Sequence, residues 1–128
     1  AEHSVITPSD LEGHALISCE RDDTQRQVDI VFHKAKIKRN EVAEVSLAIA
    51  IASLVSEGVG ASIVDPFSAK YSAGNNANIL IKEFEPSILF SFFILLPSLR
   101  AKSEIVDQFI ELFFHEAKLA GIELQRSK

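Results

Sequence analysis

Short apolar runs and helical repeats alternate along this chain with only a few residues between them, and that rhythm leaves few folds open. Ala15-Leu16-Ile17-Ser18-Cys19 reads as a buried strand, followed by a polar loop from Glu20 to Asp23. Asp23 or Thr24 then caps a helix in which Val28, Val31, Phe32 and Ala35 recur at i, i+3, i+4 and i+7. A second strand over 42–45 leads to Ser46, which caps an Ala-rich helix over 47–57 that Gly58 stops. Residues 61–64 read as a third strand. Asp65-Pro66 starts a short helix ending near Tyr71, because Asp supplies a cap oxygen and Pro at the first helical position gives up no needed N–H. After the Gly74-Asn75-Asn76 loop come two more strands, 78–84 and 87–96, the second apolar on both faces as a covered central strand should be. Ser103 caps a last helix whose Ile105, Phe109, Leu112, Phe113 and Leu119 supply a wide apolar face.

Strands and helices in that order imply an α/β fold: a mostly parallel five-stranded sheet with helices on its faces. In such sheets ligands sit at the carboxyl ends of strands, beside helix N-termini. Three places qualify: the stretch from Ser18 to Asp22, Ser46, and Asp65-Pro66-Phe67. Ser46 can offer a hydroxyl and the free N–H groups of a helix start to a carboxylate, and the helix dipole adds about half a positive charge there. Asp65 caps its helix or pairs with an ammonium group, and Phe67 is then core or pocket wall.

Charge and cysteine content exclude several classes. The 128 residues carry a net charge of −5, and the densest basic run, Lys34, Lys36, Lys38 and Arg39, reads as a solvated helix end. DNA binding needs a basic patch to displace phosphate counterions, so this chain alone should not bind DNA. Cys19 is the only cysteine, which rules out an internal disulfide and a Cys-based zinc site. The polar start, Ala1-Glu2-His3-Ser4, lacks the pattern of a signal peptide. The longest uncharged apolar stretch, 86–99, is broken by two prolines and three serines, whereas a membrane span needs ~20 apolar residues. A cytoplasmic protein with no membrane contact is expected.

Catalytic and cofactor signals are weak. Gly58-Val59-Gly60 follows a helix and precedes a strand, the reverse of a dinucleotide fingerprint, and Ile63 stands where its third glycine belongs. His3, His14, His33 and His115 share no metal-ligand spacing, and no G-x-S-x-G elbow occurs. Cys19 reads as a buried inert thiol, and Glu83 with Glu85 as a solvated strand edge. Neither an enzyme, a cofactor nor a metal is expected.

Longer motifs carry a resemblance. The segment Val55-Ser56-Glu57-Gly58-Val59-Gly60-Ala61-Ser62-Ile63-Val64-Asp65-Pro66-Phe67-Ser68-Ala69 resembles the "LVxxGxGxxIVDPFxA" stretch of LysR-type transcriptional regulators. Asp10-Leu11-Glu12-Gly13 before Ala15-Leu16-Ile17 is similar to that family's "DLxGxxLI", and Arg26 to Phe32 to its "RxxIDxxF" helix. Glu44-Val45-Ser46, Phe84-Glu85-Pro86, and Ser103 with Phe109 fit further family segments in order, so the resemblance covers essentially the whole chain.

The resemblance implies a Rossmann-like sheet forming one half of a type 2 periplasmic-binding-protein-like domain. It divides residues 1–128 into the second subdomain, about 6–100, and a C-terminal helix, 103–120. It implies a small-molecule effector in the cleft between subdomains, with Ser18, Ser46, Asp65, Pro66 and Phe67 on the cleft side. The "VDPFSA" form looks most like members that answer to amino acids or their conjugates. Arg26 and Asp29 fall on a helix resembling the one used in family dimers, and the parent is expected to be a dimer or tetramer. DNA would be met only through an N-terminal helix-turn-helix that this chain does not contain. Half of a solute-binding protein for transport, or a small α/β enzyme, are the alternatives.

Overall fold

The computed structural model describes residues 5–20, 23–74, 76–90, 93–96, 103–122 and 124. They fall into two compact units, within 1–90 and within 91–128. Strand β1 (Val5–Ile6) opens the first unit, and β2 (Ala15–Cys19) is the hub of it. On one side β2 pairs in parallel with β3 (Asn40–Val45), Ala15 opposite Asn40 and Cys19 opposite Val45, with a bulge between Leu16 and Ile17. On the other side Leu16 bridges Ala61. There the Ile17 N–H donates to the Ala61 carbonyl at 2.8 Å, the Ala61 N–H to Ala15 at 2.9 Å, and the Ser62 hydroxyl to the Ile17 carbonyl at 2.7 Å. Leu16, Ile17 and Ser18 are all buried, which is why β2 shows no polar alternation: both of its faces are covered.

Helix α1 (Asp23–Ala35) lies against one of those faces. Its buried stripe is Gln25, Val28 and Phe32, and the last two form the core cluster with Leu16. The expected stripe is therefore rotated: Val31 is half-buried and Ala35 exposed, because a buried polar Gln25 gives no signal in a hydrophobic pattern. Asp23 and Thr24 already lie within the helix, so neither is its cap, and the residues just before them lie outside those described. At the other end Lys36 takes φ 59°, and the N–H groups of Lys36 and Ile37 donate to His33 and Phe32. This is a Schellman motif with lysine in the left-handed position, and Ile37 folds back onto the core.

Helix α2 spans Ala48–Ser56, with Leu47 as its N-cap residue and no side chain accepting from its first turn. Ser46 is thus not the cap. Leu47 remains extended (φ −127°, ψ 130°), and its carbonyl accepts the first helical bonds, from Ala50 and Ile51. The helix ends as expected at Gly58 (φ 76°), with the Gly58 and Val59 amides on the carbonyls of Val55 and Leu54. Gly58 therefore closes a helix, as expected when the dinucleotide reading is set aside.

Asp65 caps the short α3 (Pro66–Ser68), which runs on through a π-helical turn, Ala69–Ala73, two residues beyond Tyr71. Asn75 of the following loop lies outside the described residues. The later strands depart most from expectation. Of 78–84, only β4 (Glu83–Phe84) pairs, in parallel with β1, Val5 opposite Glu83 and Ile6 opposite Phe84. An Asx turn delays the rest, the Asn76 carboxamide oxygen accepting from the Asn78 N–H at 3.0 Å. Over 87–96, where residues 91 and 92 lie outside those described, no described residue joins a ladder, and Leu89, Phe93 and Leu95 are exposed. Apolar runs identify a segment that wants cover, and periodicity alone cannot say whether a strand supplies it. The parallel α/β character is borne out, but the described residues pair as two parallel couples plus the Ala61 bridge rather than as five continuous strands.

In the second unit α4 (Glu104–Leu119) follows Ser103, which holds the N-cap position without a side-chain bond. It ends in a Schellman turn at Gly121, as α1 does at Lys36 and α2 at Gly58. The helix carries two apolar stripes. Ile105, Phe109, Leu112 and Leu119 are exposed, while Val106, Ile110, Phe113, Phe114 and Ala117 are less so. The expected core face is therefore the exposed one, Phe113 excepted. No described helix is long and apolar enough to cross a membrane.

Candidate functional site

Parallel strands deliver their carboxyl ends to one edge, and the register shows which residues meet there. Cys19 lies opposite Val45, and the Glu20 N–H donates to the Val45 carbonyl at 2.8 Å. Counting onward from Cys19–Val45 sets Glu20 level with Ser46, and Asp65 follows the segment that bridges the other side of β2 at Ala61.

Ser46 is exposed, immediately ahead of α2. Because Leu47 has no side-chain oxygen, the first-turn N–H groups of α2 face that edge uncapped, a local positive end for an acidic group. Glu20, exposed and level with Ser46, was read as part of a polar loop. Strand register singles it out, and no motif signals it. Asp65 is half-buried and engaged: one carboxylate oxygen accepts the Ser68 N–H at 2.9 Å and the other the Ser68 hydroxyl. Pro66 is exposed beside it and Phe67 half-buried.

Ser18 stands apart from this row. It shares the Leu16 face of β2, is 6% exposed, and lines a small void with Gln25, Phe32 and Arg39 under α1. Its hydroxyl serves the interior of the unit. Arg21 and Asp22, at the end of the same loop, lie outside the described residues.

On α1, Arg26 is exposed. Asp29 accepts from the Arg39 guanidinium, which also reaches Glu41 at 3.5 Å and lies over the Phe32 ring, 5.7 Å from its centroid. Arg39 thus ties the middle of α1 to the start of β3, and Asp29 is part of that tie. Among the described residues no group of three His, Cys, Asp or Glu side chains could hold a metal ion. Glu83 and Glu85 are exposed around β4, as a solvated edge should be. The row therefore offers an uncapped helix start for an acidic group and two carboxylates for a basic one, which is recognition chemistry.

Known proteins point the same way. The family model described as "LysR substrate binding domain" matches residues 1–118. The Transcriptional activator protein LysR of Escherichia coli (strain K12) is 32% identical over 111 residues, covering 85% of this chain and 35% of that protein. The Regulatory protein NocR of Agrobacterium tumefaciens (strain T37) is 32% identical over 109 residues, covering 84% of this chain and 36% of that protein. The chain thus spans about a third of the length of these relatives. Among solved structures, the Synechocystis PCC6803 CcmR regulatory domain in complex with 2-PG superposes with a TM-score of 0.62 at 19% identity, over 92% of this chain and 57% of that one. That likeness extends the α/β regulatory-domain fold to almost the whole chain.

Proposed function

Because this chain belongs to the LysR substrate-binding-domain family, we propose that it is part of the effector-sensing domain of a cytoplasmic transcription regulator. Its ligand in this reading is an amino acid or an amino-acid conjugate. The edge row supports this: the uncapped start of α2 next to Ser46 suits a carboxylate, and Glu20 and Asp65 suit an amine. Pro66 and Phe67 border the amine end. Residues 6–100 form the second subdomain and 103–120 the closing helix, and the cleft is completed by a first subdomain outside this chain.

Ligand closure of that cleft shifts a homo-oligomeric parent, a dimer or tetramer, between two DNA-bending states. A ligand moves such an equilibrium only by its differential affinity for the two states, so contacts made in the closed state alone do the work. DNA is held by a helix-turn-helix outside this chain, which accords with the net charge of −5 here. The exposed flank of α1 with Arg26 contributes to the dimer, and Asp29 shapes that flank through Arg39.

Calorimetric titration of the 128-residue protein with free amino acids, N-substituted amino acids and 2-PG tests the ligand class. The expected outcome is saturable heat with an amino compound, weakened by Glu20→Gln and by Ser46→Pro. Saturation by 2-PG with none by any amino compound would overturn the amino-acid reading while leaving an acidic effector. For the regulator itself, the decisive measurement is the intact mass of the native product read beside its reading frame: a product of this length alone refutes it.

A further inference from the structure

Protein interiors are close-packed, with few voids larger than a water molecule. The first unit also carries a large pocket that is not such a void. Beside α2 it holds about 410 Å³, open to solvent past the exposed Leu80 and Ile81, and is walled by Ile51, Ala52 and Val55 of the helix and by Ile63, Ile79 and the bridge segment at Ala61. This volume falls within the ~300–1,000 Å³ typical of small-molecule pockets. It adjoins the edge row at Ala48, Val64 and Ser68, but neither Ser46, Glu20 nor Asp65 lines it.

The polar groups around the cavity narrow its occupant. The Ser62 hydroxyl is spent on the Ile17 carbonyl and the Ser68 hydroxyl on Asp65. Lys82 is the one charged residue in the lining; it is half-buried, and no carboxylate among the described residues pairs with it. An ammonium at the rim of an apolar chamber matches a molecule with an apolar body and a single anionic head.

We propose that the pocket beside α2 is a second binding site, for a small amphiphilic monocarboxylate whose chain or ring fills the chamber and whose carboxylate meets Lys82. It does not depend on the ligand of the edge row. Lys82 sits one residue before β4, so occupancy also bears on the strand through which the chain leaves the unit.

Calorimetric titration of the 128-residue protein with sodium octanoate, 1-octanol and sodium acetate tests it. Octanoate is expected to bind one-to-one, octanol about fivefold more weakly for want of the ion pair, and acetate not at all. Lys82→Gln should remove the preference for octanoate and keep octanol binding. Ala52→Leu places a larger side chain in the wall without disturbing a helix, and should abolish both while the far-UV circular dichroism stays native. The proposal falls if octanoate gives no saturable heat, if the Ala52→Leu protein, native by circular dichroism, binds it as well as the wild type, or if Lys82→Gln leaves the preference intact.

Discussion

Gly60 leaves no room for a side chain. A Cβ built on it would lie 2.5 Å from the Ala15 carbonyl oxygen, 2.9 Å from the carbonyl carbon and 3.2 Å from the Ala15 Cβ. The first of these is about 0.9 Å short of ordinary contact, and the two nearest atoms are backbone, with no rotamer to turn away. That same Ala15 oxygen accepts the Ala61 N–H at 2.9 Å, beside the bond from Ile17 to the Ala61 carbonyl. Relieving the clash means prying the bridge open. Overpacking costs about 1–3 kcal/mol and each lost hydrogen bond about 1 kcal/mol, so Gly60→Ala should destabilise by about 2–4 kcal/mol. That is a large share of the ~5–15 kcal/mol typical of a domain. Gly58→Ala is the control two residues away. Nothing lies within 4 Å of its Cβ, and only the left-handed φ of 76° opposes it, at about 1 kcal/mol. Urea unfolding followed by far-UV circular dichroism reads both, with equal m-values required for the comparison. If Gly60→Ala falls within about 0.5 kcal/mol of wild type, or costs less than Gly58→Ala, the steric argument is wrong.

Other substitutions probe other terms. Lys36→Gly removes the side chain from the left-handed end of α1 and should stabilise by about 1 kcal/mol, raising Tm by roughly 4 °C in calorimetry. Phe32→Ala empties the core beside Leu16 and removes the ring stacked on Phe84 at 6.3 Å, so a loss of about 3–5 kcal/mol is expected in the same urea assay. Asp65→Ala should cost about 1 kcal/mol through the lost cap, and Asp65→Asn less, since asparagine caps as well. Loss of amino-ligand heat in Asp65→Asn, with stability kept, would separate a binding role from the capping one.

Legibility in the sequence tracked how local the cause was. The limits of β2 and the Schellman stop at Gly58 were readable because an apolar run and a left-handed glycine act within a few residues. The stripe on α1 was missed by part of a turn because it includes Gln25, and polar burial depends on neighbours brought from far along the chain. Ser46 missed the cap by one residue, a distinction set by the torsion of Leu47. Residues 78–96 read as strands because they are apolar and β-branched, yet a ladder needs a second edge, and among the described residues only Val5–Ile6 offers one. The same dependence on partners hid Glu20, whose place beside Ser46 exists only once β2 and β3 are in register. The family, by contrast, was carried by motif order over the whole length, which needs no geometry.

The β1–β4 pairing has a kinetic meaning. Val5 meets Glu83 across nearly the entire first unit, through a ladder two residues long with the Glu85 N–H on the Ile6 carbonyl at 2.9 Å. Closing so long a loop for so few bonds is entropically unrewarding until everything between is already folded. The pair is therefore a clasp that fastens last and comes undone first. Hydrogen exchange at Glu85 should run ahead of that at Ile17, and the unit can loosen where the chain enters and leaves it while its centre stays shut.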